Sequence, residues 1–132
     1  MIVLDASAVL ELLLRAASHD RLVDRVFRSG EVLAAPHLLD LEVAQVLRRF
    51  VAAGELSEQR ARAALNDYAD IRIARYPHDG MLKRIWELRH NCTAYDAAYI
   101  ALAESLGCPL ITFDRPLAAV PGQRTTVELF TQ

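Results

Sequence analysis

Four acids stand out by where they fall along the chain. Asp5 closes the apolar run IVL (2–4), Asp114 closes LITF (110–113), Asp96 lies near the start of a helical stretch over 93–106, and Glu42 lies on a helix opened by Pro36. In open α/β sheets, ligands collect outside the carboxyl ends of the strands, which is where Asp5 and Asp114 fall. Each would be partly buried, and a buried carboxylate without a partner is costly. Each also reads as the N-cap of the helix that follows it. Asp96 is the last member of a T-x-x-D capping box begun by Thr93. Ala97, Ala98, Ile100 and Ala101 nevertheless make that helix apolar on most sides, so its N-terminus packs into the protein. On a helical wheel of about 100° per residue, Glu42 lies about 60° from Leu39 and about 40° from Val46. It borders the buried face, with a paired glutamate or one snorkelling to water as the alternative.

No lysine or histidine is an obvious partner for these acids. Two unit charges about 4 Å apart repel by about 4 kcal/mol at an effective dielectric near 20, and four carboxylates multiply that. If they converge, either some protonate or a cation sits among them. All-oxygen, carboxylate-rich sites suit Mg²⁺ or Mn²⁺, which keep several waters and meet substrate phosphates through open positions. That combination serves metal-assisted phosphodiester hydrolysis.

The elements that must position the acids alternate between two periods. Residues 2–4 are apolar enough for a strand buried on both faces, and ASAVLELLL (6–14) is a helix directly after it. Ser18 caps a helix carrying Leu22, Val23, Val26 and Phe27, which Gly30 stops. EVLAA (31–35) is a second strand. Pro36 opens a helix with Leu39, Val43, Val46, Leu47 and Phe50 inward, ending near Gly54. Ser57 caps another through Ala61, Ala64, Leu65 and Tyr68. IRIA (71–74) is an exposed or edge strand because of its arginine, and 80–89 is helical with Met81, Leu82, Ile85, Trp86 and Leu88 as its apolar side. Thr93 caps the helix to Leu106, Gly107 supplies its left-handed end, and TTVELF (125–130) is a last edge strand. The pattern predicts an α/β fold with a central parallel sheet of about five strands covered by helices on both faces.

Bulk composition narrows the function classes. A chain of 132 residues suits a single domain, 1–132. A formal net charge of −2 gives no global positive field, so a polyanion would have to meet a local patch. Lys83 is the only lysine; the remaining cations are arginines, whose planar fork suits phosphate, though codon bias gives the same lopsidedness. Cys92 and Cys108 have no metal-ligand spacing with the four histidines and read as small, reduced, buried residues. With no basic leader and no membrane-length apolar run, the expectation is a cytoplasmic chain.

These acids, in this order, resemble the PIN domain and, within it, the VapC toxins of bacterial toxin–antitoxin pairs. The resemblance rests on VLDASAVL, on LEVAQVLRR with Glu42, on TAYDAAYIALAESLG with Asp96, and on LITFDRPL with Asp114, and it spans essentially the whole chain. It implies a PIN-like three-layer fold in which Asp5, Glu42, Asp96 and Asp114 line one Mg²⁺ pocket, Mn²⁺ being a possible substitute. Asp5, Asp96 and Asp114 would hold the metal, and Glu42 would bind it through water or help activate the nucleophile. Ser7 and Thr112 would support the acids or their waters. Many relatives carry a further acid where Pro116 stands here, which bears on a second metal. The implied activity is endoribonuclease, with RNA as substrate, a VapB-type antitoxin as partner and a homodimer as assembly. Arg15 and Arg115 are candidates for positioning phosphates.

Two other classes compete. A phosphoryl-transfer or signalling domain would phosphorylate a strand-end aspartate. One such site needs a second aspartate where Ser7 stands, and the other needs a late lysine that the chain lacks. A non-catalytic binding module would have no use for four unpaired acids.

Overall fold

The structure, a computed structural model, describes residues 1–28 and 30–131. Five parallel strands form one sheet: β1 (Ile2–Leu4), β2 (Leu33–Pro36), β3 (Ile73–Tyr76), β4 (Leu110–Thr112) and β5 (Val127–Leu129), in the order β3-β2-β1-β4-β5. β1 is central: Val3 pairs with Ala34 on one side and Leu110 on the other. Its three side chains are wholly buried, as an all-parallel sheet covered on both faces requires. Arg75 and Glu128 fall on the edge strands β3 and β5, where charge blunts an open edge.

Helices α1 (Ala6–Leu14), α2 (His19–Phe27), α3 (Leu38–Ala52) and α4 (Glu58–Asp70) form one group, with α1 contacting each of the other three. α5 (Leu82–Glu87) packs on α6 (Ala94–Leu106), and α6 lies against β1, β2 and β4; α7 (Arg115–Ala118) follows β4. Leu39, Val43 and Leu47 repeat every four residues on α3 and are buried. α6 is buried at every position from Ala97 to Ala103, and its small alanines allow close approach to the sheet. Gly107 ends it at φ 62°, a left-handed conformation that glycine adopts without strain. No helix among the described residues is long and apolar enough to cross a membrane.

Several local expectations give way. Pro36 does not open α3; it is the last residue of β2, opposite Tyr76, and the helix starts two residues later. A proline at a strand end costs no ladder bond, because the next N–H, that of His37, reaches the Tyr76 carbonyl instead. Ser18 precedes α2 but makes no side-chain cap; its hydroxyl donates to the Thr131 carbonyl. The helix expected over 80–89 is a single 3₁₀ turn (Asp79–Met81) followed by the short α5. Met81 and Leu88 are buried, whereas Leu82 and Trp86 point outward and the Arg89 guanidinium covers the indole. Leu65 is also exposed, because α4 packs through its alanines and Tyr68. Cys92 and Cys108 are free thiols, half buried against the core.

Candidate metal centre

The sheet order creates the site. The chain lays down β1, β2 and β3 in one direction and then returns to place β4 on the opposite flank of β1. Connections leaving β1 and β4 diverge, so a crevice opens at their carboxyl ends. Asp5 is the residue after β1, and Asp114 is the second residue after β4.

Two hydroxyls tie these strand ends together. Ser7 Oγ donates to Asp5 Oδ1 at 2.6 Å and accepts the Phe113 N–H at 2.9 Å. Thr112 Oγ1, fully buried, donates to Asp5 Oδ2 and accepts the Asp114 N–H at 2.9 Å. Asp5 also accepts the Ala8 N–H at 3.0 Å, and Asp114 accepts that of Leu117 at a looser 3.4 Å, so both acids cap helices as well. Burial dominates at Asp5. It pushes the carboxyl up from its ordinary 3.8 to about 6 against the opposing pull of Ser7, Thr112 and the Ala8 N–H, and the charge of Asp114 adds to the rise.

Asp96 enters from the first turn of α6. Thr93 Oγ1 accepts the Asp96 N–H at 3.1 Å, but among the described residues no return bond from the Thr93 N–H engages the Asp96 carboxylate. The capping box is half made, and the carboxylate is left for other work. Its pKa is raised, first by burial, then by the charges of Asp114 and Glu42. Glu42 is half buried on α3 and accepts a hydrogen bond from the Tyr99 hydroxyl at 2.5 Å. Tyr99, 2% exposed, has its phenol pushed up by burial, by that bond, and by the charges of Glu42 and Asp5.

The four acids are thus coupled pairwise, Glu42 to Asp96, Asp96 to Asp114 and Asp114 to Asp5, in each case by repulsion. Among the described residues none of the four is in an ion pair. Elsewhere, Glu104 is held by Arg84, Asp40 by Arg75 and Glu128 by Arg25. Oxygen-only donors that repel one another and have no ion pair among the described residues fit a hard divalent ion. Among the described residues no three acidic, histidine or cysteine side chains stand close enough to cage an ion as they are. Mg²⁺ does not need a cage, since it keeps several waters and takes one or two carboxylates.

The arginines divide. Arg15 caps the far end of α1, at φ 52°, about 15 Å along the helix from Asp5. Arg115 directly follows Asp114 and is exposed. Tyr99 is the site residue that sequence reasoning missed. Its signal was the i,i+3 spacing from Asp96, which puts the two on one side of α6.

Residues 2–123 match the PIN domain, so the chain belongs to the PIN-domain family. It is 44% identical over 128 residues to Ribonuclease VapC1 of Mycobacterium tuberculosis, covering 96% of each chain, and its place in the family is with the VapC ribonucleases. PAE2754 from Pyrobaculum aerophilum superposes with a TM-score of 0.70 at 26% identity, covering 96% of this chain and 81% of that one. VapBC2 from Rickettsia felis, bound to a DNA fragment from its promoter, shares the fold with a TM-score of 0.71 at 12% identity, over 98% of each chain.

Proposed function

We propose that the chain is a Mg²⁺-dependent endoribonuclease, the toxin of a toxin–antitoxin pair, hydrolysing RNA phosphodiester bonds at the Asp5, Glu42, Asp96 and Asp114 site. The observation that carries the reading is Asp96, half-buried and repelled by both Glu42 and Asp114, with no ion pair to offset them among the described residues. Asp5, Asp96 and Asp114 would hold the metal, with Mn²⁺ a possible substitute. When bound, such an ion polarises a phosphoryl oxygen and readies a water for attack.

The chain's own groups have separable duties. Ser7 and Thr112 orient the two Asp5 oxygens, while Ser7 holds the Phe113 N–H and Thr112 the Asp114 N–H, so both strand ends keep their spacing. Tyr99 holds Glu42 toward Asp96, where the carboxylate can accept a proton from the attacking water. Arg115, exposed beside Asp114, would meet a phosphate. The ribonuclease name of the 44%-identical relative and the VapBC complex of the same fold support RNA as substrate and a VapB-type antitoxin as partner. A homodimer and a single domain over 1–132 belong to the same reading.

Asp96→Asn tests it. The variant keeps its circular dichroism spectrum and loses RNA cleavage; an Asp96→Asn protein that cuts RNA like the wild type overturns the assignment.

A further inference from the structure

A recess of about 370 Å³ adjoins the acids along α3, with Glu42, Gln45, Val46 and Arg49 on one wall, Ala6 of α1 at one end and Tyr95 at the start of α6. The α3 residues recur at i, i+3, i+4 and i+7, so the helix that supplies one acid presents this stripe on the same side. Ala6 and Tyr95 are the chain neighbours of Asp5 and Asp96. The recess therefore shares Glu42 with the four-acid site and borders it through the neighbours of Asp5 and Asp96.

Three features of the lining are left without a role by the fold. Tyr95 is a large aromatic that is 62% exposed, although it stands beside a half-buried acid. Arg49 is exposed, and among the described residues its guanidinium has no hydrogen bond or ion pair, unlike those of Arg25, Arg75 and Arg84. Leu41, 72% exposed, adds apolar surface to the same lining.

We infer that this recess is a nucleotide subsite of the RNA-cleaving centre, in which Tyr95 stacks on a base and Arg49 binds a phosphate beside the one positioned at the acids. The inference rests on the ribonuclease reading above. An aromatic face, an apolar floor and an arginine are the combination that tracks single-stranded nucleic acid, since every base has a face to stack and every linkage a charge. The charge balance requires a cation here as well: the acids repel the backbone of any RNA entering the crevice, and Arg49 lies about 10 Å along α3 from Glu42. A base stacked on Tyr95 must have left its own helix, so the subsite admits a nucleotide from a loop, bulge or single strand and excludes A-form duplex.

The test is binding of a short single-stranded oligoribonucleotide carrying 2-aminopurine, followed by fluorescence and anisotropy in EDTA so that nothing is cleaved. Wild type and Tyr95→Phe quench the probe, while Tyr95→Ala abolishes quenching and weakens binding by about five- to 150-fold. Arg49→Ala lowers the salt slope of binding by about one, and Arg49→Lys restores it. Retained Mn²⁺ stabilisation of Tyr95→Ala shows that the neighbouring acid is undisturbed. Tyr95→Ala that binds and quenches like the wild type overturns the inference. So does a loss of binding that accompanies a change from dimer to monomer in sedimentation, which assigns the recess to a second copy of the chain. Because binding is read in EDTA, Asp96→Asn that still cleaves refutes the metal-site reading alone.

Discussion

Thr112 donates its hydroxyl hydrogen to the carboxylate of Asp5, a residue 107 positions earlier in the chain. The same oxygen accepts the Asp114 N–H, so one buried atom sets both strand-end acids. Thr112→Val keeps the shape and removes the bond. It should destabilise the fold by about 1–2 kcal/mol in urea melts above neutral pH, where Asp5 is ionised and left short of a donor. Losing a donor to the ionised form raises the Asp5 pKa, so the acid limb of the pH–rate profile should move to higher pH. An unmoved limb would show that Thr112 serves packing alone.

Asp5 carries a pH signature of its own. Its folded pKa, about 6, lies above its ordinary 3.8, so between those values the folded state binds more protons than the unfolded one. Its contribution is therefore most favourable below about pH 4 and is lost as pH rises through about 6, by roughly 3 kcal/mol at most. Asp5→Asn, which can still accept the Ala8 N–H, removes this loss. In EDTA, wild type and variant should diverge as pH rises from 4 to 7, with the variant the more stable at neutrality. Parallel curves would mean that burial does not strain Asp5.

Tyr99→Phe should lower kcat by roughly tenfold with little change in KM, within the range typical of positioned acid–base groups. Glu42→Gln should lower it further, and the double variant should match Glu42→Gln, because Tyr99 acts only through Glu42. Additive losses would separate the two residues.

Arg84 supplies the contrast. It donates to both Glu104 oxygens, at 2.7 and 3.1 Å, and to the Gly122 carbonyl at 2.7 Å, tying α5 and α6 to the loop before β5. Arg84→Ala should cost about 1–3 kcal/mol of stability, because Glu104 loses its ion-pair partner and, among the described residues, keeps only the Arg124 N–H, with cleavage per folded molecule unchanged. Altered cleavage by folded enzyme would tie that network to the site.

The parts of the fold legible from sequence were those written in local pattern. IVL and LIT are short apolar runs that only a doubly covered strand can use, and Thr93 with Gly107 brackets α6 at both ends. Asp5 and Asp114 were legible because each ends such a run. Pro36 misled because proline suits both a strand end and a helix start, and pairing with Tyr76, 40 residues on, decides between them. Leu82 and Trp86 have the right period for a buried face, but both are exposed, and the indole is covered only by the Arg89 guanidinium among the described residues. Tyr99 was hidden among the apolar residues of α6, and its duty depends on Glu42, which only the folded chain brings near. Strand order is also a tertiary fact, and it alone makes the ends of β1 and β4 a crevice.

If these four carboxylates take up a divalent ion, the melting temperature must depend on Mn²⁺ or Mg²⁺, and it is measured for wild type beside Asp114→Asn. An ion bound only by the folded state stabilises it by about 2.7 kcal/mol at a hundredfold excess over its Kd. The wild-type midpoint should climb by several degrees and continue to rise with the logarithm of ion concentration, while the variant responds only at much higher concentration. A wild-type curve that metal leaves in place, or one that Asp114→Asn reproduces, would mean that the four acids bind no ion.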